Sequence, residues 1–111
     1  IANIIDAVLA CLKPSGSFCT LVKPQFEAPA ALVGDGGIVT DPAVRCDTLV
    51  AAIELFAAKG LFPRDVCVSP IHGAKGNVEF FLYGSRFAPG ERADDELQSQ
   101  VSVLSEKAAT L

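Results

Sequence analysis

Apolar residues recur at helical spacing from the start of the chain: Ile1, Ile4, Ile5, Val8, Leu9 and Leu12 fall on one stripe. Lys13-Pro14-Ser15-Gly16 predicts the end of that helix, with a cation near the negative end of the dipole and then two breakers. Phe18 to Val22 is an apolar run that predicts a buried strand from Ser17 to Lys23. Pro24, which has no backbone donor, stops its ladder. Residues 24–39 lack a strong period and read as a loop, with turn chemistry at Gly34-Asp35-Gly36-Gly37. No strand feeds this glycine cluster as a phosphate-binding loop would require.

Thr40-Asp41-Pro42 marks a helix start, since Asp41 can cap and Pro42 suits the first helical position. Val44, Leu49, Ile53 and Phe56 give that helix its apolar face, and Lys59-Gly60 gives it a stop. Val66-Cys67-Val68 predicts a short second strand, broken by Ser69-Pro70. Residues 71–76 form a loop, and Asn77 to Tyr83 a third strand. After Ala88-Pro89-Gly90, the acids Glu91, Asp94, Asp95 and Glu96 precede a narrow stripe of Leu97, Val101, Leu104 and Leu111. That arrangement predicts a C-terminal helix with acid at the positive end of its dipole.

The order helix, strand, helix, strand, strand, helix implies an α/β layer structure. Only about eight residues, Ser69 to Gly76, join the last two strands, whereas a parallel crossover needs about a dozen or more. The expected sheet is therefore mixed, mostly parallel, with an antiparallel last strand and helices on both faces. At 111 residues the chain has room for one domain. It opens inside a helical pattern and contains no methionine, which reads as a piece of a longer protein.

Charge narrows the function. The net charge of −4 has the wrong sign for a module that binds nucleic acid by itself, because phosphate contacts need clustered Lys and Arg. No apolar run approaches the roughly 18 residues of a membrane span. Cys11, Cys19, Cys46 and Cys67 match neither a zinc nor a redox spacing. All four lie in apolar segments and are expected to be buried thiols of a cytoplasmic protein.

The chemistry-bearing residues come from strand ends. In an open α/β sheet ligands sit at the carboxyl ends of parallel strands. An antiparallel strand presents its beginning at that same edge. Lys23 ends the first strand and Glu79 lies near the start of the third, so the two are expected at one rim although 56 positions separate them. Alternation puts Val78, Phe80 and Leu82 on one face and Glu79, Phe81 and Tyr83 on the other. A carboxylate between phenylalanines is costly to bury unless paired. A structural Lys23–Glu79 ion pair, or a solvated Glu79, would account for the same residues without catalysis. His72 reads as an exposed loop histidine, and Lys75 and Asn77 beside it are candidate substrate contacts.

The segments LVKPQFEA, VGDGGIVTDPAV and SPIHGAKGNVEFFLY, in this order, resemble the C-terminal half of the TlyA group of FtsJ-like methyltransferases, some of which carry the name hemolysin. The resemblance covers roughly residues 1–86. It implies a partial Rossmann-like fold over residues 1–87, followed by a helical tail at 88–111. It also implies S-adenosylmethionine-dependent methylation of ribose 2′-hydroxyls in ribosomal RNA. By motif, Lys23 is similar to the second lysine and Glu79 to the glutamate of the family's Lys-Asp-Lys-Glu tetrad. The first lysine, the aspartate, the glycine-rich cofactor turn and an S4-like RNA-binding domain have no counterpart here. This segment alone is therefore expected to be inactive, with no cofactor-binding or metal-binding residue of its own. A lysine can act as base only when its pKa falls well below about 10.4, which desolvation or a neighbouring cation brings about. The alternative is a non-catalytic interaction module that forms a homodimer through the exposed edge of the first strand.

Overall fold

The computed structural model describes residues 1–87. The predicted C-terminal helix lies outside the described residues. In chain order the elements are α1 (Ile5–Cys11), β1 (Ser17–Val22), the single turn α2 (Pro24–Glu27), α3 (Pro42–Ala58), β2 (Phe62–Val68) and β3 (Phe80–Ser85). Short 3-10 turns occupy Ala30–Leu32 and Ala74–Gly76.

Both ends of α3 follow from its sequence. An Asp41 carboxylate oxygen accepts from the Ala43 amide at 2.9 Å, and Pro42 takes the first helical position. At the other end the Gly60 amide donates to the Ala57 carbonyl and the Leu61 amide to the Phe56 carbonyl. Gly60 has φ +84°, the left-handed conformation that this type of helix stop requires.

The sheet differs from expectation. Its order is β1-β3-β2, and β3 runs antiparallel to both neighbours. The turn back from β2 is indeed antiparallel, but β3 then inserts between β1 and β2 and separates them. A mostly parallel sheet is therefore corrected to one whose two ladders are both antiparallel. Composition explains the order. Residues 80–84 (Phe-Phe-Leu-Tyr-Gly) carry no charge and suit a central strand. β2 contains Pro63, Arg64 and Asp65, and its register shifts between Pro63 and Asp65. Proline and irregular pairing belong at a sheet edge.

Helices were expected on both faces; among the described residues α1 and α3 share one face. Ile5 of α1 and Leu49, Ala52, Ile53 and Phe56 of α3 join Val22, Val66, Phe80 and Leu82 in one core cluster. Both helices thus cover the same face. On the opposite face a shallow hollow of about 320 Å³ is lined by Cys19, Asp65, Val66, Cys67, Phe81 and Tyr83. The cysteines are not buried: Cys11, Cys19 and Cys67 are exposed and Cys46 is half-buried. On β1 and β2, Cys19 and Cys67 alternate with Phe18, Thr20, Val66 and Val68 and so point away from the covered face.

Phe56 is the centre of the core. It is fully buried and stacks on Phe18 with ring centroids 5.7 Å apart. Gly84 lies against it, where an added Cβ would stand 2.7 Å from Phe56 Cδ2. A methyl group there must displace a fully buried ring. Gly84→Ala should therefore cost about 1–3 kcal/mol, read as a lower denaturant midpoint at unchanged slope. An unchanged midpoint would show that the ring relaxes freely.

Candidate functional site

The β-ladders set the geometry of the rim. Val22 pairs with Phe80 and Val68 pairs with Phe80 from the other side. Lys23 directly follows Val22 and Glu79 directly precedes Phe80, so the two residues flank the last pair of this ladder. On the β2 side the Ser69 amide donates to the Glu79 carbonyl at 2.8 Å. Glu79 therefore lies between the ends of both outer strands and is only 6% exposed.

The chain after Lys23 turns at once into α2, which sequence reasoning read as loop. Pro24 occupies its first turn, and the amides of Phe26 and Glu27 donate to the Lys23 carbonyl at 2.9 and 3.0 Å. The turn brings Gln25 back over the rim, where its Nε2 donates to Glu79 Oε2 at 2.8 Å. Gln25 Oε1 is buried and has no hydrogen-bond partner among the described residues. The Lys23 ammonium lies 5.6 Å from the centre of the Phe26 ring, a cation–π contact on a ring that is 75% exposed. Among the described residues no ion pair within 4.0 Å joins Lys23 to Glu79. The rim holds both groups, but the direct pair considered from the sequence is not formed.

The loop before β3 packs its backbone on the carboxylate. A Cβ at Gly73 would overlap Glu79 Oε2, so only glycine allows this approach. The Gly73 amide donates to the Asn77 carbonyl at 2.7 Å. Lys75 adopts the left-handed conformation at φ +59°, and its ammonium donates to the Gly36 carbonyl at 2.7 Å. Asn77 is 2% exposed: its Oδ1 accepts from the Val39 amide at 3.0 Å and its Nδ2 donates to the Gly37 carbonyl at 2.9 Å. The two residues singled out as substrate contacts thus tie loop 71–77 to loop 34–39. His72 is exposed.

Arg45 of α3 braces the same loop. Its Nη2 donates to the Val39 carbonyl at 3.0 Å, while Nε and Nη1 are buried without partners among the described residues. Burial pushes its guanidinium below the ordinary arginine pKa, and the Asp41 carboxylate acts in the opposite direction.

Sequence reasoning missed Gln25, Gly73 and Arg45. Pro24 was a usable signal for Gln25, because proline stops a strand and equally opens a helix. Nothing in the pattern marked Gly73 or Arg45.

A sequence model of the family described as FtsJ-like methyltransferase matches residues 2–86. The chain belongs to this family. Among curated relatives it is 39% identical over 107 residues to "Putative rRNA methyltransferase YqxC" of Bacillus subtilis (strain 168), covering 96% of this chain and 38% of that protein. It is 36% identical over 83 residues to the 16S/23S rRNA (cytidine-2′-O)-methyltransferase TlyA of Mycobacterium tuberculosis (strain ATCC 25618 / H37Rv), covering 75% of this chain and 31% of TlyA. Among solved structures, one described as "Putative hemolysin from Streptococcus thermophilus" superposes with a TM-score of 0.74 at 27% identity, over 86% of this chain and 34% of that one. The chain thus spans about a third of the length of these FtsJ-like relatives.

The Asn77 bonds make a direct test of the loop-to-loop tie. Asn77→Ala leaves the buried Val39 amide without its acceptor, at a cost of about 1–3 kcal/mol for such a group. The thermal midpoint should fall and cleavage within residues 34–39 should speed up under limited proteolysis. Unchanged proteolysis would show that the loop is held by other contacts.

Proposed function

We propose that this chain forms the part of an S-adenosylmethionine-dependent rRNA 2′-O-methyltransferase that prepares the ribose hydroxyl, with Lys23 and Glu79 as its catalytic groups. The observation that carries the reading is that Lys23 and the buried Glu79 flank the last pair of the β1–β3 ladder, Val22 and Phe80. Family membership supplies the reaction class, and the names of the rRNA methyltransferase relatives supply the substrate class.

The cofactor supplies an electrophilic methyl group on a sulfonium. The residues described here do not fit it. The glycine cluster closes on itself through the Gly34–Ile38 bridge, and the Gly36 and Gly37 carbonyls accept from Lys75 and Asn77. We therefore derive no step through the cofactor. The task left for this segment is to position the hydroxyl and take its proton. Lys23 in its neutral form offers the lone pair that accepts the proton. Glu79, held in place by Gln25, orients the Lys23 amine against the ribose. The first lysine and the aspartate of the family tetrad have no counterpart among these residues, and neither does the clustered basic surface that RNA binding requires. No helix among the described residues is long and apolar enough to cross a membrane.

One observation favours a second reading. β1 is an edge strand among the described residues, and its outer edge is a template for pairing with another copy. Gel filtration of the chain would show a concentration-dependent dimer in that case, and a monomer at all concentrations otherwise.

In the longer protein that carries this chain, Lys23→Ala should slow methyl transfer to ribosomal RNA about 100- to 10,000-fold, the scale of a lost general base. Binding of S-adenosylmethionine should be nearly unchanged. Activity close to that of the parent protein would remove Lys23 from the mechanism. For the 111-residue chain alone, calorimetry should show no tight binding of S-adenosylmethionine, and micromolar affinity would place a cofactor site within it.

A further inference from the structure

We infer that Gln25 is a positioning residue that fixes both groups of the rim: its Nε2 sets the Glu79 carboxylate and its Oε1 takes an N–H of the Lys23 amine. The inference rests on the catalytic reading of Lys23 and Glu79 given above. Three observations lead to it. Gln25 Nε2 donates to Glu79 Oε2 at 2.8 Å. Gln25 Oε1 is a buried acceptor without a partner among the described residues. Gly73 alone leaves room for the carboxylate to lie against the backbone of the following loop.

A buried acceptor without a donor is costly, and such groups are rare enough in folded proteins to need an explanation. Here the explanation is a donor that arrives when the site is engaged. The amide is planar and rigid, so with Nε2 committed to Glu79 the free acceptor Oε1 is held on the same fixed group. Lys23 follows Val22, the last β1 residue paired in the ladder, and stands two residues before Gln25, and its amine is a donor group. In the observed state that amine rests on the exposed Phe26 ring.

The arrangement also serves the chemistry. A neutral amine has two N–H donors and one lone pair. When Gln25 Oε1 and the Glu79 carboxylate take the two hydrogens, the lone pair is left to accept the proton of the substrate hydroxyl. A lysine chain is long and flexible, so a fixed pair of acceptors is what turns a mobile amine into an aimed base. Gln25 touches neither substrate nor cofactor in this scheme and acts through its two neighbours.

The test uses the longer protein and ribosomal RNA. Gln25→Met keeps the side-chain length and removes both hydrogen bonds. It should lower kcat at least tenfold while the KM values for RNA and S-adenosylmethionine stay within twofold. In a Glu79→Gln background the same substitution should cost less than twofold more, because the group it positions is already altered. A packing role would instead lower stability and add its full effect in both backgrounds. Gly73→Ala, which displaces the carboxylate from the other side, should reproduce the kcat loss, and it serves as the readout if Gln25→Met folds poorly. Unchanged kcat, a change confined to KM, or additive losses overturn the inference while leaving the roles of Lys23 and Glu79 intact. If Lys23→Ala and Glu79→Gln are themselves fully active, the catalytic reading fails and takes this inference with it.

Discussion

The contact between Gly84 and Phe56 is the constraint on which the rest depends. Strand side chains alternate with period two, so a one-residue slip of β3 would turn its entire apolar face outward. Phe80 and Leu82 on that face are fully buried, and Gly84, last on the same face, admits the Phe56 ring where any other residue would not. Phe56 is in turn fixed by α3, whose ends are set by the Asp41 cap and the Gly60 stop. The pairing of Val22 and Val68 with Phe80 follows, and with it the position of Glu79 between the two outer strand ends. A site built from residues 56 positions apart is thus held by core packing at the far end of the same strand.

That packing carries a buried carboxylate with it. Taking an ionised carboxyl group out of water costs several kcal/mol in a folded protein, on the order-of-magnitude scale of buried ions. Among the described residues the hydrogen bond that reaches the Glu79 carboxylate comes from a neutral amide, and no ion pair within 4.0 Å includes it. The Glu79 carbonyl accepts from the Ser69 amide at 2.8 Å, which ties the residue to the end of β2. Local rules for a stable core and the observed arrangement therefore disagree at this residue. Such disagreement is expected where a fold serves a function.

Much of this was legible in the sequence, and the rest was not for identifiable reasons. α3 could be read to within a residue, because Asp41-Pro42 and Lys59-Gly60 are local signals with local causes. The antiparallel return into β3 followed from loop length alone. The strand order did not, because a short loop tells which way the next strand runs and not which side of its neighbour it takes. Insertion of β3 between β1 and β2 was decided by the uncharged run at residues 80–84 against Pro63-Arg64-Asp65 in β2, a comparison that needs both strands at once. The cysteines misled because an apolar neighbourhood in sequence says nothing of which face of a strand is covered. Strand polarity led to the expectation that Lys23 and Glu79 share one rim, whereas Gln25 was hidden by treating Pro24 only as the end of a strand.

Charge limits what the described surface can do. Thirteen acidic residues outnumber nine Lys and Arg, and the cations near the rim are already engaged. Arg45 is buried behind loop 34–39 with one nitrogen on the Val39 carbonyl. Lys75 donates to the Gly36 carbonyl, and Lys23 rests on Phe26. A phosphate backbone attracts protein through several accessible cations whose counterions are released together, and this surface does not offer such a set. Under the proposed function, affinity for RNA comes from residues other than these, and the rim acts on a ribose delivered to it. In that reading Lys23 removes a proton and does not neutralise phosphate, so its amine can be held by neutral and acidic acceptors without weakening the hold on RNA. The acidic balance of this segment is therefore compatible with an RNA substrate.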